Sequence, residues 1–276
     1  MFEYPEIINI SRQMEAEIIG KTIEFCAIKG YHRCIYTDEC RSARYNLLPG
    51  GTVIKIDCLA PDIYIMLDNG YGVLICHSGN KLRYNKSVLD VPKRYNIILK
   101  FTDGANITYA PNSPRTLVFY AISHKDWKSR IQNNQKFDPL SSSFDEYIVF
   151  FRNKHSEDRN KSVRVFLSND ILGVMKAFAA EILLYAKVHP KTQVKFLSEE
   201  ENKRIYNEMK RILTEAANSG GRETEFDLYG KSGRYVTMSQ GRHVGKNCPI
   251  CGTVLILYTP GGYHRALCPN CQVYGV

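Results

Sequence analysis

Cys248-Pro-Ile-Cys251 and Cys268-Pro-Asn-Cys271 close the chain with two Cys-x2-Cys pairs, separated by the sixteen residues 252–267. Each pair sets two thiolates on one tight turn. Two such turns facing each other supply four sulfurs at tetrahedral angles, the donor set of one closed, structural Zn²⁺ site. Between them, Thr253-Val-Leu-Ile-Leu-Tyr258, Thr259-Pro-Gly-Gly262 and Tyr263-His-Arg-Ala-Leu267 read as strand, turn and strand. That is a β-hairpin closed by strong turn formers. A metal-stapled hairpin does not choose a function by itself, because some only fasten a module while others carry basic side chains to nucleic acid.

Upstream, the apolar period is helical. Ser198-Glu-Glu-Glu201 is a capping box for a helix with Ile205, Met209, Ile212 and Leu213 inward and Gly220-Gly221 at its end. Before it, Ser168 or Asn169 can cap a helix carrying Ile171, Leu172, Met175, Phe178, Ala179, Ile182, Leu183 and Ala186, ended by Pro190. Residues 123–145, with Asn133-Asn134, Pro139 and Ser141–Ser143, read as a polar, loop-like linker. The first 122 residues change grammar again. Pro5 and Glu6 open a helix with Ile7, Ile10, Met14, Ile18 and Ile19 on one face, stopped by Gly20. Strand-like runs follow at 21–28, 52–58, 62–67, 71–76, 96–101, 105–109 and 115–120, with Asp68-Asn69-Gly70 and Thr102-Asp103-Gly104 as hairpin turns. The expected architecture is an α+β multidomain chain. It comprises an N-terminal β-sandwich with a flanking helix (1–122), a linker (123–145), a helical domain (146–230) and a zinc hairpin (231–276).

Lys and Arg outnumber Asp and Glu by 37 to 28, and the resulting charge of +9 favours a polyanionic partner. Nine cysteines are present; the four metal candidates leave Cys26, Cys34, Cys40, Cys58 and Cys76. That odd remainder has no framework spacing and fits free thiols in a reducing compartment. The start Met1-Phe-Glu-Tyr-Pro-Glu6 lacks the basic and apolar regions of a signal peptide. No apolar run reaches the length of a membrane span, and Lys176 and Glu181 interrupt the most apolar helix. These features predict a soluble cytoplasmic protein, nucleoid-associated and monomeric, with no membrane partner. Trp127 and the many tyrosines read as core or surface, and the lone His77 and His264 as surface or satisfied core groups ahead of acid–base catalysts.

Several motifs together resemble one family, the formamidopyrimidine-DNA glycosylase and endonuclease VIII group of base-excision repair proteins. Phe2-Glu3-Tyr4-Pro5-Glu6-Ile7, with Arg12 and Ile19-Gly20-Lys21-Thr22-Ile23, resembles its opening and first helix. His77-Ser78-Gly79 with Leu82-Arg83, and Ser113-Pro114-Arg115, resemble two of its loops. Pro139-Leu140-Ser141 and Phe144 resemble the start of its helical domain. Gly173-Val174-Met175-Lys176, Glu181, Ile182-Leu183 and His189-Pro190-Lys191 resemble its helix-two-turn-helix core. Leu228-Tyr229-Gly230 and the four cysteines complete a collinear match along the whole chain. The resemblance implies a protein that binds damaged double-stranded DNA, flips the damaged base from the stack and cleaves its glycosidic bond. It also implies an AP-lyase step through a Schiff base on an N-terminal proline.

The sequence departs from that pattern at the nucleophile, where it has Phe2. Three options stay open: the α-amine of Met1 takes the role, Glu3 activates water without a covalent intermediate, or no base is removed and the chain is a catalytically silent binder. Glu3 also reads as a helix-capping or salt-bridging carboxylate, and Glu6 as a charge favoured by the helix dipole. The family's active-site lysine falls near Pro61 and Asp62. His77 and Leu117 stand at the void-filling and wedge positions, where Arg115 is retained. Lys176 replaces a phosphate-binding asparagine, and Tyr263 replaces the hairpin arginine, with Arg265 two residues on. The DNA-contacting set is therefore His77, Arg115, Leu117, Lys176 and Arg265, and the catalytic set Met1 and Glu3. A translation- or ribosome-associated RNA binder on the same fold is the remaining alternative.

Overall fold

The computed structural model describes residues 2–28, 45–76, 82–110, 119–259 and 262–274. Its contacts divide the chain into two units, one formed by Met1–Asn134 with Ser219–Arg234, the other by Gln135–Asn218 with Tyr235–Val276.

In the first unit, the stripe Ile7, Ile10, Met14 and Ile18 is buried on helix α1 (Tyr4–Ile18). Pro5 occupies its first turn, where a missing N–H leaves no bond unmade. Ile19 lies beyond the helix end and is half exposed. Gly20 then takes φ +80° and directs the chain towards the strands.

Two four-stranded antiparallel sheets follow, as expected of a sandwich. One is ordered β1 (Ile23–Ile28), β6 (Ile97–Phe101), β7 (Asn106–Tyr109), β5 (Leu82–Asn85). The other is ordered β2 (Val53–Leu59), β3 (Asp62–Leu67), β4 (Tyr71–Ile75), β8 (Phe119–Ser123). Gly70 and Gly104 both take positive φ in the two hairpin turns read from the sequence. Strand β5 was not legible: Leu-Arg-Tyr-Asn has no alternation, and its pairing to β7 is supported by buried Asn85, which donates to Asn106 (2.8 Å) and Thr108 (3.2 Å). The strand expected at 115–120 lies partly outside the described residues; β8 begins at Phe119.

The stretch expected to be loop-like begins instead with helix α2 (His124–Gln132). Ser123 accepts from the Asp126 amide (3.1 Å) while Asp126 accepts from the Ser123 amide (3.3 Å), a capping box hidden among polar residues. Trp127, 1% exposed, packs from α2 on Tyr64 with ring centroids 5.0 Å apart, beside Leu74, Cys76 and Tyr120. Its Nε1 donates to Asp57 (3.0 Å), and Arg130 donates to the buried Asp62 (2.9 Å). This explains the unbroken apolar run of β3: Ile63 and Ile65 face one side and Tyr64 the other, and all three are fully buried. Gly72 is required beneath Tyr64, since a Cβ there would stand 2.5 Å from its ring.

The second unit opens with α3 (Phe144–Glu157), whose Phe144, Tyr147 and Phe151 meet Phe137, Phe166 and Tyr206 in an aromatic core. Helix α4 (Val163–Asp170) is capped by Ser162, and α5 (Lys176–Tyr185) begins only at Lys176. The single helix expected from Ser168 is thus the end of α4, a turn through Gly173 at φ +65°, and α5. Apolar residues in the turn continue the helical stripe because the turn is itself buried at Ile171, Leu172 and Val174. Helix α6 (Glu199–Asn218) carries the expected box, with Ser198 donating to Glu201 (2.9 Å) and accepting from it (3.1 Å). Although the sequence runs the helical unit through residue 230, Ser219–Arg234 groups with the first unit. Its turn after Gly220-Gly221 carries side chains that bond α1 rather than α6, as described below. No helix among the described residues is long and apolar enough to cross a membrane.

Candidate active site, metal centre and nucleic-acid groove

Three sites emerge, each within one unit. The first lies at the start of α1. Glu3 is the N-cap residue, and its amide donates to Glu6 (2.8 Å) in a reciprocal capping arrangement. Both carboxylates are 3% exposed. Opposite them stands Arg222, itself 5% exposed, from the segment that returns after α6. Its Nη2 and Nε donate to the two oxygens of Glu6 at 2.9 and 3.1 Å, and its amide donates to Glu6 at 2.9 Å. Nη1 lies 3.5 Å from Glu3, and Nη2 lies 3.7 Å from Glu225. Three carboxylates therefore converge on one buried guanidinium. Burial opposes the charge on Arg222, but Glu6 and Glu3 outweigh it and hold the guanidinium more firmly protonated than usual. Burial pushes the Glu225 carboxyl up, against the pull of Arg222.

The backbone makes room for this cluster. At Gly221, φ is +95° and an added Cβ would stand 2.9 Å from Glu6. Gln13 bonds the same returning segment through Asp227 (2.9 Å) and Leu228 (2.9 Å). Glu3 caps a helix and pairs with a cation, as the capping or salt-bridging reading of it expected. Glu6 stands in the first turn of α1, as expected of a charge favoured by the helix dipole, and is in addition a buried ion-pair partner of Arg222. Sequence reading missed Arg222; its one signal was an arginine directly after a Gly-Gly helix stop. Phe2 is fully buried, so its amide is no nucleophile on steric as well as chemical grounds. Asp62 is committed to Arg130.

The second site is the cysteine cluster. The sulfurs of Cys248, Cys251, Cys268 and Cys271 all lie within 4.8 Å of one another. A tetrahedral ion with metal–sulfur bonds of 2.3 Å requires sulfurs about 3.8 Å apart, and Cys251 and Cys268 stand at 3.4 Å. The Ile250 amide points at the Cys248 sulfur (3.5 Å) and the Cys271 amide at Cys268 (3.3 Å), dipoles that favour thiolates. The four residues fit a metal ion. Strands β9 (Ile256–Tyr258) and β10 (Arg265–Leu267) form the hairpin, shorter than expected because Asn247 pairs with Val254 at its base. Gln272 fastens it to the helices, donating to Val188 (3.0 Å) and accepting from Cys268 (3.1 Å). Fully buried Glu181 accepts from Met238 (3.0 Å) and Ser239 (2.8 Å), which explains a carboxylate in the most apolar helix.

The third site is a groove lined by Arg164, Lys176, Tyr258, Tyr263 and Arg265, with no acidic side chain in its wall. Lys176 is the first residue of α5, where helix dipole and free amides favour an anion. Its ammonium stands 3.6 Å from the Tyr263 ring centroid. A hydrogen bond from Lys176 holds the Tyr263 hydroxyl below its usual value, and Arg265 adds to the effect. Lys176 and Arg265 were expected from the sequence and are brought together; Arg164 was not, having no motif to mark it. Met1, His77, Arg115 and Leu117 lie outside the described residues.

No family model matches the chain. Among curated proteins, it is similar to the formamidopyrimidine-DNA glycosylase of Lactobacillus helveticus, with 26% identity over 281 residues covering 99% of both chains. It is similar also to the protein of that name from Legionella pneumophila (strain Lens), with 27% identity over 219 residues, 76% of this chain and 77% of the other. The Lactococcus lactis Fpg in complex with abasic-site-containing DNA superposes with a TM-score of 0.82 at 21% identity, covering 99% of this chain and 100% of that one. The same enzyme bound to DNA with an oxidized pyrimidine gives 0.81 at 22%, with the same coverage. These superpositions establish the fold.

Proposed function

We propose that this chain, which belongs to the formamidopyrimidine-DNA glycosylase family, binds damaged double-stranded DNA and releases the damaged base as an N-glycosylase. The observation that carries the reading is Glu3, retained at the start of α1 and fixed in a buried ion-pair cluster within a fold shared end to end with DNA-bound relatives. Relatives bearing the glycosylase name match 99% of the chain, and their solved neighbours hold abasic or oxidised DNA.

Phe2 removes the proline route, so the reading assigns the first step to water. Glu3 takes a proton as the water oxygen bonds C1′; the C–N bond breaks and its electron pair leaves with the base. The alternative amine belongs to Met1 and would add an AP-lyase step through a Schiff base. Lys176 and Arg265, joined by Arg164, hold backbone phosphates in the groove, with Lys176 seated on Tyr263 as a point charge rather than a planar donor. The metal is one structural Zn²⁺, which suits four thiolates and no open position.

The complete burial of Phe2 favours one other reading, a silent relative that binds damaged or structured nucleic acid. Both are tested on duplexes bearing an abasic site, 8-oxoguanine or an oxidised pyrimidine. Base release without a borohydride-trapped adduct, abolished in Glu3→Gln, supports the water route. A trapped adduct lost on blocking the α-amine supports lyase chemistry. Tight binding with neither product leaves the silent reading.

A further inference from the structure

Arg222 is the feature of the Glu3 site that no sequence motif marked. It donates to Glu6 through three nitrogens at 2.9, 2.9 and 3.1 Å, and its remaining terminal nitrogen, Nη1, faces Glu3 at 3.5 Å. Its aliphatic stem is buried, and Gly221 leaves Glu6 room to reach it. One planar cation thus fixes two carboxylates on successive sides of the first turn of α1. A surface arginine could be exchanged for solvent at little cost, but this side chain, 6% exposed, cannot leave without breaking its contacts with Glu6 and Glu3.

We propose that Arg222 is a positioning residue for Glu3: it holds the Glu3 carboxylate in the place from which it accepts the proton of attacking water. This rests on the glycosylase reading above and adds the residue that makes the acid competent. Among the described residues, Arg222 faces Glu3 and Glu6 on α1 and Glu225 on its own returning segment. Without the guanidinium, Glu3 loses the charged donor at 3.5 Å that fixes the direction of its carboxylate. Glu225 works in the opposite direction, drawing on the same guanidinium from 3.7 Å. Arginine rather than lysine is needed because a single ammonium cannot face Glu6 and Glu3 at once in this planar arrangement.

The test is single-turnover base release measured beside duplex affinity for full-length wild type, Arg222→Gln and Arg222→Lys, with folding of each checked by circular dichroism. In folded Arg222→Gln the rate at saturating protein falls by about 10- to 100-fold while duplex affinity stays within a few-fold, the size expected when a reacting group is misplaced. Arg222→Lys, which keeps the charge but not the fork, also stays below the wild-type rate. A purely structural arginine would lower the amount of folded protein and leave the rate per folded molecule where it was; that result in folded Arg222→Gln overturns the inference. If Arg222→Gln does not fold, Arg222→Lys decides, and a wild-type rate in it overturns the inference. Wild type that releases no base from any of the three duplexes overturns the glycosylase reading itself, whereas an active wild type lost in Glu3→Gln but indifferent to Arg222 sinks only the positioning role.

Discussion

Residue 2 and residue 3 pull the functional argument in different directions, and burial decides between them. Phe2 is fully enclosed, so whatever chemistry the site performs does not start at its nitrogen. Glu3 is nearly as enclosed yet faces a cation, the pairing that a buried carboxylate needs to offset its desolvation. Glu3→Gln keeps the shape and the cap but removes the base; base release should fall by about 10²- to 10⁴-fold while duplex affinity stays within a few-fold. Equal loss of both in a filter-binding and product-release assay would count against a chemical role. Glu225 permits a test that needs no substrate. Burial raises its folded carboxyl above the unfolded value, so the folded state keeps that proton more readily and loses stability as pH rises through the raised value. Glu225→Gln has no such proton, so its stability relative to wild type should rise as pH climbs from below the ordinary carboxylate range towards neutrality, then level. Thermal unfolding followed across that window checks the sign. None of this was legible from the sequence beyond Glu3 itself: the pairing spans 219 positions along the chain, and no local spacing encodes it.

Elements with local grammar were the legible ones. The helix stripe of α1, the positive-φ glycines of two hairpins, the Ser198 capping box and the doubled Cys-x2-Cys each state their structure within a few residues. Helix α2 was missed because only Trp127 is buried along its nine residues; its amphipathic signal is one side chain wide. The break between α4 and α5 was missed because a buried turn is as apolar as the helices it joins. Two predictions belong at this scale. Leu74→Ala, beneath Trp127, should cost about 2–5 kcal/mol, and the single tryptophan of the chain gives the fluorescence signal that reads it. Metal removal should melt the hairpin, because Cys248 and Cys268 are part of its buried cluster with Leu184, Leu255 and Ala266. A chelator titration followed by circular dichroism should show that loss while Trp127 emission, from the other unit, holds; a protein indifferent to the chelator would show that the four thiols fold unaided.

At the scale of the whole molecule, the acid cluster belongs to one unit and the cationic groove to the other, so binding and chemistry should separate on mutation. The net charge of +9 predicts an affinity for polyanions that weakens with salt, but bulk charge does not say which side chains carry it. The groove does. If Lys176 and Arg265 each neutralise one phosphate, the slope of log K against log salt should become shallower by about one for each alanine substitution and by about two for the pair. The pair should weaken binding to damaged and undamaged duplexes alike, since phosphate contacts carry no base information. At saturating protein the single-turnover rate of base release should remain that of wild type, the mirror image of Glu3→Gln. Tyr263→Phe supplies the finer control: it keeps the ring under the Lys176 ammonium and removes the hydroxyl, so the slope should not change, whereas Tyr263→Ala removes the seat and should cost about 0.5–1 kcal/mol of binding. A salt slope that stays at the wild-type value in the double variant would move the phosphate contacts off this groove and leave the metal hairpin as a staple alone.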